Sequence, residues 1–123
     1  MDASSQSDYS DTCIFCKLGK GLVRADVIYQ DSEIIAFRDI HPQAPVHVLV
    51  IPRRHITALW DADDSDAVLI GRLLLAANTV AEQEGVGESG YRVVTNAGPD
   101  AGQSVDHLHL HVLGGRKLEW PPG

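Results

Sequence analysis

The 123 residues, 44% of them hydrophobic, suffice for one sizeable core and therefore one domain. A formal net charge of −7 argues against a general nucleic-acid surface, which needs clustered Lys and Arg, but leaves room for a small nucleotide held by local donors. No apolar run approaches the ~20 residues of a membrane span, and the polar residues 1–8 lack a signal-peptide core, so a cytoplasmic protein without membrane contact is expected.

In chain order, residues 1–11 read as a disordered tail, which leaves 12–123 as a single domain. Cys13-Ile14-Phe15-Cys16 opens a short helix near residues 14–18. A C-x-x-C pair is half of a tetrahedral zinc site, with a free reduced pair and a disulfide as alternatives; as a redox motif it wants a βαβ setting that is missing here. Val27-Ile28-Tyr29, the turn Gln30-Asp31-Ser32 and residues 33–38 read as a hairpin. Asp39 before Ile40-His41-Pro42 suits a turn, and residues 46–52 a strand with His47 at its entrance. Asp61-Ala62-Asp63-Asp64-Ser65-Asp66 is an acidic helix start. The helix body, 67–84, repeats apolar residues at Val68, Leu69, Leu73, Ala76 and Val80 and stops at Gly85. Residues 91–95 and 107–112 complete the strands. The layout is α+β, an antiparallel sheet of about five strands with one long and one short helix.

His107-Leu108-His109-Leu110-His111-Val112-Leu113 is the most informative stretch, because it holds three of the chain's six histidines at strict alternation. Period two puts the three imidazoles on one face of a strand and sends Leu108, Leu110 and Val112 into a core. Successive rings would stand ~7 Å apart, from a rise of about 3.3 Å per residue, within reach of one phosphate. Imidazole titrates near pH ~6.5, so much of it is free base at neutrality and can attack phosphorus. The nitrogen–phosphorus bond so formed is labile enough for water to reopen. Two other readings stand beside this one: His-x-His is a common zinc pair, and a half-exposed strand can turn histidines to solvent.

Upstream, Asn96-Ala97-Gly98-Pro99-Asp100-Ala101-Gly102-Gln103-Ser104 is a loop of small residues that can aim amide and hydroxyl donors at an anion, though taken alone it is also an ordinary glycine-rich turn. It lacks the phosphate-loop pattern GxxxxGK[ST]. The run 102–115, the segments Asp39-Ile40-His41-Pro42-Gln43-Ala44-Pro45 and His47-Val48-Leu49-Val50-Ile51-Pro52-Arg53-Arg54-His55-Ile56, and the ending Trp120-Pro121-Pro122-Gly123 together resemble the histidine triad (HIT) superfamily. Within it the chain is similar to the Hint branch of nucleoside phosphoramidases. Several motifs in fixed order are far more specific than one His-x-His-x-His.

That resemblance implies roles. His109 would be the nucleophile that takes up the nucleotidyl group, with His111 and His47 beside the α-phosphate. Asn96, Gly102, Gln103 and Ser104 would hold its oxygens and the scissile bridge, Asp39 would accept the ribose hydroxyls, and Ile40 and Trp120 would line the substrate. Some similar HIT proteins carry zinc on two such cysteines, the histidine after the Ile-Pro strand and the first triad histidine. Here those positions are Cys13, Cys16, His55 and His107. Hint proteins without the cysteines use the two histidines in a hydrogen-bonded network, a pattern from which this chain departs.

The resemblance also implies a homodimer through the long helix and the strand after it, with the Trp120 tail reaching the partner's pocket. The expected activity is hydrolysis of a purine nucleoside 5′-phosphoramidate (AMP- or GMP-like), the departing amine receiving proton help from the Ser104 and His47 side. Alternatives are a dinucleoside polyphosphate hydrolase or nucleotidyl transferase, a nucleotide-binding regulatory module with little turnover, and a structural zinc protein, which would put metal on His109.

Overall fold

A computed structural model of the chain describes residues 9–123. In chain order the elements are α1 (Ile14–Gly19), β1 (Val27–Gln30), β2 (Ile34–Arg38), β3 (Val46–Pro52), α2 (Ala67–Gln83), β4 (Tyr91–Val94) and β5 (Leu110–Gly114). The five strands make one sheet in the order β1-β2-β3-β5-β4, every neighbouring pair antiparallel. This is the α+β arrangement expected from the sequence. No helix among the described residues is long and apolar enough to cross a membrane.

Antiparallel sheets often leave one face wet, but residues 34–37 of β2 and the middle of β3 are apolar at every position and are covered on both faces. Ile34, Ala36, Val48 and Val50 pack with Leu110 and Val112 against α2, while Ile35, Phe37, Leu49 and Ile51 pack against Phe15 and Leu18 of α1. Val48, Val50, Ile51 and Val112 have no exposed surface, and burial of such side chains contributes roughly 1.5–3 kcal/mol each. α2 buries Leu69, Leu73, Ala76, Ala77, Val80 and Ala81, a stripe at helical spacing. Val68, counted in the sequence as part of that stripe, lies off it and is 75% exposed. The acidic lead-in is two 3-10 turns, Leu59–Asp61 and Asp64–Asp66, and Asp63 and Asp66 close a reciprocal capping box around the free N–H groups there.

Two expectations need correction. The last strand was expected over 107–112, yet its ladder begins at Leu110, opposite Val50, and runs to Gly114. The reason lies on β3: Pro52 has no N–H to extend the ladder, and its carbonyl accepts the His107 ring Nε2–H at 2.8 Å. Side-chain alternation persists without the ladder, with Leu108 buried in the α2-side core. The His109 and His111 rings are also closer than strand geometry implied, their centroids 5.0 Å apart. The tail expected over 1–11 lies, for its first eight residues, outside the described ones. Among the described residues the Ser10 carbonyl accepts from Cys13 N–H, the Ser10 N–H donates to Cys16 Sγ, and the Lys20 ammonium sits 4.5 Å over the Tyr9 ring.

Candidate active site and metal cluster

β3 and β5 pair so that Leu49 faces His111 and His47 faces Leu113, which puts His47 diagonally beside His111 on the α1 side of the sheet. The His47 and His111 rings lie 5.1 Å apart, with Nε2 of His47 2.9 Å from Nδ1 of His111. Backbone N–H groups can only donate, so the bond from Gln43 N–H to His47 Nδ1 at 3.0 Å fixes the proton order. Neutral His47 then carries its proton on Nε2 and gives it to His111 Nδ1, and His111 carries its own proton on Nε2. Of this pair it is therefore His111, rather than His47, that has a ring N–H left over to offer.

His109 is ordered from the other direction. Its Nδ1 is 2.6 Å from the main-chain carbonyl of His107, which can only accept, so the neutral ring carries its proton on Nδ1 and its lone pair on Nε2. The ring is 3% exposed and meets the edge of Phe15 at 5.4 Å, while Thr95 Oγ1 donates to the His109 carbonyl at 2.9 Å. In the neutral ring this leaves a buried, oriented lone pair next to a neighbour able to donate. Burial, reinforced by His109 and His47, drives the His111 pKa down to about 4. Burial also lowers His47, opposed by the Asp39 carboxylate, whose Oδ2 is 3.4 Å away.

Asp39 follows β2, its Oδ1 taken by His41 N–H at 2.8 Å in an Asx turn. It lies on the wall of a cavity of about 330 Å³ whose other walls include Ile14, Phe15, Leu18, Phe37, Ile40, Leu49, Ser104 and Val105. A mostly apolar slot with the Asp39 carboxylate and the Arg24 and Arg38 side chains on its wall suits a flat apolar ring with polar groups at its edge. Ile40 is 85% exposed beside this cavity, and Ser104 is exposed on its wall. Asn96 is half-buried just past β4. Gly102 takes a φ of +81° that favours glycine and closes the 3-10 turn Pro99–Ala101. The Gln103 amide serves the loop itself, donating to the Thr57 and Val105 carbonyls at 2.7 and 2.9 Å and accepting from Gly98 N–H at 2.9 Å. Trp120 stands 80% exposed at the C-terminal end of the chain.

A second cluster adjoins the first. Cys13 Sγ, Cys16 Sγ, His55 and His107 bring one ligand atom each to within 4.8 Å of one another. His107 spends its Nε2–H on Pro52, which leaves a bare Nδ1 lone pair 3.3 and 3.5 Å from the two sulfurs; His55 Nδ1 is 3.2 Å from Cys16 Sγ. Tetrahedral zinc with bonds of ~2.3 Å to sulfur and ~2.0 Å to nitrogen needs S···N separations of about 3.5 Å, so donor set and spacing both fit that ion. Burial raises the metal-free Cys16 thiol to about 11 and depresses His107 to about 4.

The HIT domain family model matches residues 20–118. The chain belongs to the histidine triad (HIT) family. An uncharacterized HIT-like protein of Synechococcus elongatus is 51% identical over 114 residues, covering 93% of this chain and 99% of the relative. A 14 kDa zinc-binding protein of Zea mays is 49% identical over 112 residues, 89% of this chain and 87% of the relative. Among solved structures, a HIT family hydrolase from Legionella pneumophila superposes with a TM-score of 0.89 at 49% identity, covering 90% of this chain and 99% of that one.

The structure of this HIT protein brings His47, His109, His111 and Asp39 together, and Cys13, Cys16, His55 and His107 separately. Sequence reasoning missed Phe15, Leu18, Phe37 and Leu49 as cavity walls, since apolar residues in strands and helices carry no mark of which cavity they line. It also missed the main-chain donor of Gln43, which no side chain announces.

His111 makes stability depend on pH with a definite sign. The unfolded chain takes a proton near the usual 6.5, whereas folded His111 refuses one until about 4. Stability from this group is therefore present above pH 6.5 and declines as pH falls from 6.5 toward 4. Urea unfolding midpoints measured across that range should fall in the native protein, and fall less steeply in His111→Gln. Equal slopes would contradict the burial argument.

Proposed function

We propose that this HIT protein is a hydrolase that cleaves purine nucleoside 5′-phosphoramidates through a covalent nucleotidyl-histidine at His109. One observation carries the reading: the His107 carbonyl holds the Nδ1 proton of His109, so the opposite nitrogen keeps its lone pair in a buried setting. In this reading the base enters the apolar cavity between α1 and the β2–β3 face, and Asp39 accepts from the ribose hydroxyls. Asn96, Ser104 and the main chain around Gly102 and Gln103 face the α-phosphate, where His111 offers its Nε2–H. His109 Nε2 attacks phosphorus, the phosphorus–nitrogen bond breaks, and the amine departs with a proton from the Ser104 and His111 side. Water then opens the phosphorus–histidine bond, its oxygen going to phosphorus and its proton restoring the Ser104 and His111 side, and the nucleotide and free His109 are released. The neutral pair His47–His111 stabilises charge developing on the phosphoryl oxygens through a donor already aimed, with no reorganisation at the moment of reaction. The relative described as a hydrolase supports the hydrolytic outcome.

His109→Ala should retain nucleotide binding and lose at least ~10³-fold in turnover, the scale for removing a nucleophile that acts with its supporting groups. Mass measurement after mixing native protein with substrate should find a nucleotidyl adduct on His109. Near-native turnover in His109→Ala would sink the mechanism.

We assign zinc to Cys13, Cys16, His55 and His107, a reading supported by their spacing, the bare Nδ1 of His107 and the relative described as zinc-binding. When bound, the ion supplies a cross-link between α1, the segment after β3 and the approach to β5. Freshly purified protein should contain about one zinc per chain, and removing it should lower thermal stability more than the catalytic rate. Metal-free protein from a chelator-free preparation would end the assignment.

The same reading makes the protein a homodimer. α2 leaves Val68, Leu74 and Leu75 75%, 52% and 67% exposed, and Trp60 is 67% exposed. A small apolar cavity of about 140 Å³ between Leu59, Ile70, Leu74 and Thr95 opens on this side, and β4 is an edge strand whose outer hydrogen bonds a second copy would complete. Light scattering at micromolar concentration should give twice the chain mass, and Leu75→Glu should restore the monomer. A monomer mass for the native chain refutes the dimer.

A further inference from the structure

Two neighbours set the His47–His111 proton order, the Gln43 N–H on His47 Nδ1 and the Asp39 carboxylate 3.4 Å from Nε2, and the loop carrying the Gln43 donor is held from outside the site. Gln43 lies between Pro42 and Pro45, whose rings fix φ near −65°, so the segment has little freedom to absorb a displacement. β5 ends at Gly114, paired with Val46, and the chain then turns back over this loop. Gly115 adopts a φ of +89°, and a Cβ there would lie 2.9 Å from Pro45 Cβ, so only glycine lets the turn rest on the loop. Arg116 completes the contact: its Nη2 donates to the Gln43 carbonyl at 3.0 Å while Nη1 donates to the Lys117 carbonyl at 3.1 Å.

We propose that Arg116 is a positioning residue for the histidine pair: by holding the Gln43 main chain it keeps the Gln43 N–H on His47 Nδ1, and so keeps protons on Nε2 of both His47 and His111. If the Gln43 N–H drifts away, His47 can carry its proton on Nδ1 and turn a bare Nε2 toward His111. His111 then satisfies it with Nδ1–H and presents a lone pair, where the phosphoryl oxygens need a donor. The difference is between attraction and repulsion at one atom, with no change in the pair's net charge. Arg116 is suited to the task because its guanidinium stays charged and its planar fork serves two carbonyls at once. The consequence for turnover rests on the phosphoramidase reading given above, whereas the consequence for the proton positions does not.

The test uses full-length native protein, Arg116→Ala, Arg116→Lys and Gln43→Pro, the last of which deletes the donor itself. Nitrogen-15 NMR of the histidine rings, without substrate, should give Nε2–H tautomers for His47 and His111 in native protein and a tautomer mixture in Arg116→Ala and Gln43→Pro. Arg116→Lys, which keeps one donor for the Gln43 carbonyl, should return most of the native signature. With an adenosine 5′-phosphoramidate as substrate, Arg116→Ala should lower kcat about 3- to 10-fold at little-changed KM, as expected for losing an interaction made in the transition state. Native tautomers in Arg116→Ala overturn the proposal whatever the kinetics. A shift in Gln43→Pro but not in Arg116→Ala overturns it too, by leaving the donor in charge and Arg116 without effect. Absent turnover in native protein would count against the phosphoramidase reading alone, because the NMR comparison stands by itself.

Discussion

The His107 carbonyl and the His107 ring do different work within one residue, and the arrangement around the triad depends on both. The carbonyl accepts a hydrogen bond from His109 Nδ1–H, and the ring donates its Nε2–H to the Pro52 carbonyl while turning a lone pair toward two thiols. Neither partner on the main chain can reverse its role, since carbonyls only accept. The constraint therefore runs in one direction, from Pro52 through the His107 ring to the Cys/His cluster, and from the His107 main chain to His109. A metal bound by the cluster would brace the residue that orients the neighbouring nitrogen, with no contact to it.

The same proline explains why the triad does not sit on a regular strand. Lacking an N–H, Pro52 ends the β3–β5 ladder at Val50 and Leu110, which frees residues 107–109 from strand pairing while Leu108 stays anchored in the core. His107 and His109 are buried where the sheet gives way to a loop, and His111 lies inside the ladder proper. Main-chain groups released from the ladder become the ones that orient side chains, as with the carbonyls of His107, His109 and Pro52.

Electrostatics in the site comes from proton placement more than from charge. The chain is acidic overall, yet burial keeps His47 and His111 neutral at physiological pH, and the pair is ordered by hydrogen bonds instead. A neutral donor fixed by neighbours suits an anionic ligand without requiring a buried cation, whose desolvation is costly. It also means that small movements of the loop carrying Gln43 are felt as a change of tautomer at His111, one ring removed.

Much of this was legible along the chain because it depends on local period. Alternation at residues 107–113 separated imidazoles from Leu108, Leu110 and Val112 before any partner was known, and the apolar spacing in 67–84 marked the buried stripe of α2 apart from Val68. The motifs around Asp39, His47 and His55 carried a family resemblance, and with it the two groups of residues that the fold brings together. Only the tertiary structure decided where each ring nitrogen keeps its proton, since that follows from main-chain donors and acceptors at Gln43, Pro52 and His107 whose positions no side-chain pattern encodes. The register of β3 against β5, which sets His47 diagonally beside His111, and the turn that brings Arg116 onto Gln43 are likewise contacts between residues 64 and 73 positions apart. Sequence pattern reports which face a residue occupies; the pairing of faces distant along the chain is settled by packing the whole sheet.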